Sequence, residues 1–152
     1  MNNDNNELGV IASVKLLNHF GQNIPLYPTK AGTMAERLRL KMALGPRPIS
    51  VLADLPYMKD DRLMPLIAQL CHLASVSGNF PVSKFIHLRA LRLSLQYGIC
   101  KYLPQIITTY SVQLQKSDKF EICYSMANVV TKLYERFPEE RGGEFATCQM
   151  VM

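Results

Sequence analysis

The sequence predicts a mainly α protein: a compact bundle of about five helices preceded by a possible β-hairpin. Three observations carry this. Apolar residues recur with helical spacing over much of residues 61 to 137. Turn and capping residues place helix starts near 61, 82, 100 and 118, which leaves short connections and hence antiparallel neighbours. The 152 residues, 48% of them hydrophobic, are enough for one core without disulfide or metal staples.

Residues 1 to 7 (MNNDNNE) are polar and low in complexity, and are expected to be disordered. Leu8, Val10, Ala12, Val14 and Leu16 alternate as on a strand, although Val10, Val14 and Leu17 also suit a helix. Turn residues then lead into Ile24, Pro25, Leu26, Tyr27 and Pro28, an extended run in which two prolines forbid helix. The preferred reading is a hairpin, 10 to 18 paired with 23 to 28, spanning residues 10 to 28.

Thr33 and Glu36 have the capping-box spacing, so a helix is expected over 34 to 44, ending at Gly45 and Pro46. Alternation of cations and apolar residues from 37 to 42 keeps a strand reading open there. Pro48 and Pro56 bracket one short helix at most.

Asp60 and Asp61 supply a cap for a helix over 61 to 75, with Pro65 in its first turn and Leu63, Leu66, Ile67, Leu70 and Ala74 on one side. Pro81 opens 82 to 97 and Gly98 closes it; Pro104 falls in the first turn of 100 to 115; Ser117 and Asp118 cap 118 to 137. Helix 82 to 97 is apolar on two sides, with a narrow strip for Arg89 and Arg92, as a central helix should be. Helix 118 to 137 has one apolar side, from Ile122 to Phe137, as a surface helix should. No residue pattern repeats with the helix spacing, which favours a bundle over a solenoid. Residues 8 to 137 then form one domain, 8 to 30 being a hairpin or extended arm, and 138 to 152 a flexible tail or partner-binding segment.

Little in the chain points to catalysis. Cys71 and His72 are the only adjacent soft ligands, and neighbouring helix positions diverge by about 100°, so they do not chelate alone. No phosphate-cradling glycine loop or nucleophile elbow is present. An enzyme would require His72 or His87 to share a pocket with Cys71 or Cys100. No catalytic residue, metal or cofactor is expected. The four cysteines are not spaced as pairs and read as buried thiols, which favours a cytoplasmic or intracellular compartment. No run suggests a transmembrane helix.

Charge is the informative feature. The net charge is +5, and residues 62 to 117 contain no acid while retaining Arg62, Lys84, Arg89, Arg92, Lys101 and Lys116. Lys30, Arg37, Arg39, Lys41 and Arg47 meet only Glu36 within residues 28 to 50. Such cations attract phosphate regardless of sequence, and the candidate anion-binding set is Arg37, Arg39, Lys41, Arg47, Lys84, Arg89, Arg92 and Lys101. Tyr27, Tyr57, Phe85, Tyr97 and Tyr102 are candidates for base stacking where exposed.

The first functional expectation is a non-catalytic structural or accessory protein, of viral or mobile-element kind, that binds nucleic acid without sequence readout, RNA in preference to DNA. The alternative is an interaction module that meets an acidic protein surface: an adaptor, an assembly or secretion chaperone, or a self-assembling matrix-like component. Low charge and eight methionines favour that alternative. Homo-oligomers and contact with an anionic membrane surface stay open, and virion association is compatible with either reading.

Overall fold

The computed structural model describes residues 3–115 and 119–138. Its helices are α1 (Asn3–His19), α2 (Lys30–Leu44), α3 (Met64–Val76), α4 (Phe80–Tyr97), α5 (Leu103–Gln115) and α6 (Phe120–Arg136), with a 3-10 segment at Ile49–Asp54. Helices α3, α4 and α5 pack on one another; α1 lies on α3, α2 on α4, and α6 on α5 and the 3-10 segment. The mainly α expectation holds, with six α-helices among the described residues where about five were expected.

The β-hairpin is absent. Val10, Val14 and Leu17 are almost completely buried, whereas Leu8 and Leu16 stay exposed, so the helical spacing governs and the alternation does not. Residues 3 to 7, expected to be disordered, form the first turns of the same helix. A side chain at Gly9 would begin 3.0 Å from Leu73, which shows how closely α1 approaches α3. Beyond α1, the Asn18 amide donates to the Ile24 carbonyl at 2.9 Å and accepts from its N–H at 2.6 Å, folding the connection back and burying Ile24.

Helix α2 starts earlier than the capping box implied. Thr29 is the N-cap, its hydroxyl accepting from Gly32 N–H at 3.0 Å. Glu36 is not a capping residue at all: it is fully buried and turned toward α4. The end at Gly45 is as expected. Asp60 and Asp61 do not cap α3, which begins at Met64 without a side-chain cap; Asp60 pairs instead with Arg62 at 2.8 Å.

Helix α4 begins at Phe80, with Asn79 as its N-cap, and Gly98 ends it at φ 110°. Glycine is required there, since a Cβ would lie 2.4 Å from the Pro56 carbonyl oxygen. That close approach permits the isolated parallel bridge between Tyr57 and Ile99. The other end of this seam meets α6, where Arg136 donates to the carbonyls of Ala53 and Leu55 and lies over the Tyr57 ring. Val129, Val130 and Leu133 bury the apolar side of α6 as expected, but Ile122 remains exposed. The expected cap at Ser117 and Asp118 and the segment from 139 to 152 lie outside the described residues.

Candidate binding surface around α2

Helix α2 rests mainly on α4, so most of its circumference is available. At about 100° per residue, Glu36 faces α4 while Met34, Leu38 and Met42 form a stripe on the far side. These three are 51%, 53% and 75% exposed, a spacing of one residue per turn that leaves a continuous apolar line in water. Gly32, Ala35 and Arg39 turn to one flank; Arg37, Leu40, Lys41 and Leu44 turn to the other. Each flank opens into a cleft.

The first cleft, about 820 Å³, lies between α2, the α1–α2 connection and α4. Its base is an ionic cluster around Glu36. One carboxylate oxygen, Oε1, accepts from Arg89 Nε at 2.9 Å and Arg92 Nε at 2.8 Å. Oε2 accepts from Arg39 Nη1 at 3.3 Å and, loosely, from Arg89 Nη2 at 3.4 Å. Arg89 Nη1 also donates to the Gln22 carbonyl, tying the connection to α4, and its guanidinium lies 5.3 Å from the Phe85 ring centre. Burial alone would raise the Glu36 carboxyl, but the hydrogen bonds and positive charges of Arg89 and Arg92 outweigh it and hold the group below the ordinary carboxylate value.

The second cleft, about 520 Å³, is a mostly apolar groove between α2, α4, α5 and α6. Leu88, Leu91, Tyr110, Leu114 and Met126 are among its lining residues. Arg37, Lys41 and Lys119 stand around it with Glu121 as the one acid. The groove and the Met34, Leu38, Met42 stripe adjoin on α2, since Lys41 lies between them on the helix surface.

The predicted anion-binding residues therefore divide. Arg39, Arg89 and Arg92 converge on the first cleft; Arg37 and Lys41 line the second. Arg47 is a helix cap, donating to the carbonyls of Leu44 at 2.9 Å and Ala43 at 2.8 Å. Lys84 and Lys101 line neither cleft, and the Lys101 ammonium sits over the Tyr102 ring instead. Of the aromatic candidates, Tyr97 and the buried Phe85 both line the first cleft and Tyr27 is exposed, whereas Tyr57 is engaged with Arg136 and Phe137. Sequence reasoning missed the groove altogether. Its available signals were the one-per-turn recurrence of Met34, Leu38 and Met42 and the extra apolar residue Ile122 on α6.

The residues considered for catalysis are placed differently. His87 is fully buried, with Nδ1 2.6 Å from the Ser83 carbonyl and its ring stacked on Tyr110. Burial lowers its pKa from 6.5 to about 4. His72 is exposed on α3, and burial pushes the thiols of Cys71 and Cys100 upward. Neither histidine lines either cleft beside α2. Among the described residues no group of three or more potential metal ligands occurs, and no helix is long and apolar enough to cross a membrane.

Comparison with protein-family models, with curated proteins and with solved structures finds no match to this chain.

Proposed function

We propose that this protein is a non-catalytic interaction module that docks an acidic, amphipathic helix of a partner protein along α2 and the adjoining groove. The observation that carries this reading is the combination of an exposed apolar stripe, an apolar groove beside it and cations around both. A helix laid into the groove would bury apolar side chains against Leu44, Leu114 and Ile122, while its carboxylates meet Arg37, Lys41 and Lys119. Charge complementarity would speed encounter and set orientation; the apolar contacts would supply the affinity. Methionines at two of the three stripe positions suit a surface that adapts to its partner.

Nucleic acid is the second reading. Lys30, Arg37 and Lys41 have no ion pair among the described residues, and Arg47 uses its donors only on carbonyls, so α2 retains phosphate-binding capacity. The apolar stripe favours the first reading, because phosphate backbone gives Leu38 and Met42 nothing to bury against.

Fluorescence anisotropy with two probes separates them: a synthetic leucine–glutamate amphipathic helix of about 20 residues, and a uridine oligonucleotide. The docking reading expects the peptide to bind with weak salt dependence and to lose at least tenfold in affinity, roughly 1.4 kcal/mol, with Leu38→Glu. Binding of the oligonucleotide alone, with a steep salt slope and no sensitivity to uncharged changes at Leu38, would replace it with the nucleic-acid reading.

A further inference from the structure

The ionic cluster beside α2 holds more positive charge than the described residues neutralise. Three guanidiniums, from Arg39, Arg89 and Arg92, share one carboxylate, Glu36. Two positive charges are left over at the base of a cleft, where water screens them less than on an open surface. Leaving them unpaired is costly if the site stays empty and advantageous if a dianion enters.

The available donors are specific. Each nitrogen of Arg89 is engaged, Nε and Nη2 on Glu36 and Nη1 on the Gln22 carbonyl, and the side chain is almost completely buried. Arg92 has more to spare: among the described residues only its Nε is bonded, so both terminal nitrogens retain donors, although the side chain is just 17% exposed. Arg39 spends one nitrogen on Glu36 and leaves the rest of its guanidinium at the cleft, half exposed. Asn23, Gln96 and Tyr97 line the same cleft and add polar groups. A planar arginine fork fixed at its Nε by a carboxylate is preorganised, which lowers the cost of bidentate contact with an incoming oxyanion.

We propose that this cleft binds a tetrahedral phosphate dianion, with Arg92 and Arg39 as its direct donors and Glu36 as the residue that positions Arg92. The charge left over on the cluster matches that of the dianion, and the tetrahedral oxygens suit two forks approaching from α2 and α4. The ligand is either free phosphate or a phosphorylated side chain of a peptide; both present the same chemistry. This site is separate from the proposed helix-docking groove and does not depend on it.

The test is a titration of the full chain, isotope-labelled, followed by amide and arginine side-chain NMR at constant ionic strength, with sodium chloride replaced stepwise by inorganic phosphate. The expected result is saturable shifts at residues 21 to 23, 39, 92 and 96, with Arg92→Gln weakening binding at least tenfold and Lys84→Gln leaving it unchanged. Arg39→Gln, at an exposed position, is the second variant should Arg92→Gln fail to fold, and it is expected to weaken binding severalfold. A phosphoserine peptide and its unphosphorylated form make up the second arm. Tighter binding of the phosphopeptide than of phosphate assigns the site to a phosphorylated side chain, and equal binding assigns it to free phosphate. Shifts that chloride reproduces, or binding that both variants leave intact, would overturn the proposal. Leu38→Glu should leave phosphate binding unaltered, so failure of the docking reading is distinguishable from failure here.

Discussion

The two flanks of α2 carry cations from the same short stretch of chain, yet they do different things with them. On one flank Arg39 joins Arg89 and Arg92 on a buried carboxylate, and the cluster is part of what holds α2 and the α1–α2 connection to α4. On the other, Arg37 and Lys41 stand beside an apolar groove without an ion pair among the described residues. A single side chain makes the difference. Where a described acid meets the cations, they hold helices together and only their remaining donors face a ligand; where none does, the whole cation is available to a partner.

The largest expected effect comes from removing that acid. Glu36→Ala leaves the largely buried guanidiniums of Arg89 and Arg92 facing each other, with half-exposed Arg39 beside them, and should cost about 3–5 kcal/mol in urea unfolding. A loss below about 1 kcal/mol, the scale of an exposed ion pair, would mean that the two flanks are equivalent and the cluster is a surface feature.

Acid separates the flanks next. His87 stacks on Tyr110, which lines the groove, and its pKa is lowered from 6.5 to about 4, so the unfolded chain takes up the proton first. Its stabilising contribution is therefore complete above pH 6.5 and lost as the pH falls toward 4, a change on the order of 3 kcal/mol. Glu36, held below its ordinary value of 4.5, contributes stability that persists to lower pH. Urea midpoints measured across this range should fall in wild type and stay flatter in His87→Gln. Parallel curves would show that His87 is not the titrating group.

A smaller effect sharpens the comparison without disturbing the fold. Leu38→Glu replaces a residue 53% exposed, so stability should change by no more than about 0.5 kcal/mol, while acidic-helix binding falls at least tenfold by anisotropy. The smallest is Arg47→Ala, which removes two hydrogen bonds to the last carbonyls of α2 and should cost about 0.5–1 kcal/mol by thermal or urea unfolding, leaving phosphate binding in the first cleft intact.

Local signals made much of the fold legible. The termination of α2 at Gly45 and of α4 at Gly98, the prolines in the first turns of α3 and α5, and the apolar side of α6 follow from propensity and period alone. Helix α1 did not yield to the same reasoning, because its apolar residues satisfy both a two-residue and a helical period, and only packing against α3 decides between them. The site was half legible. Counting acids and cations singled out the arginines that the fold gathers at the first cleft, but Glu36 lies 53 residues from Arg89 and 56 from Arg92, and a count along the chain does not register a pairing across that separation. The groove went unread for the same reason: beyond the stripe on α2 and Ile122 on α6, it takes side chains from four helices, each of which looks ordinary by itself.

The division of cations between structure and partner is tested most directly by mapping the leucine–glutamate helix onto the isotope-labelled full chain by NMR. Perturbations should cluster at Leu38, Lys41, Leu44, Tyr110 and Ile122, and leave Arg89 and Lys101 unmoved. Perturbations centred on Arg89, or spread evenly over Lys84, Lys101 and the rest of the basic surface, would contradict it.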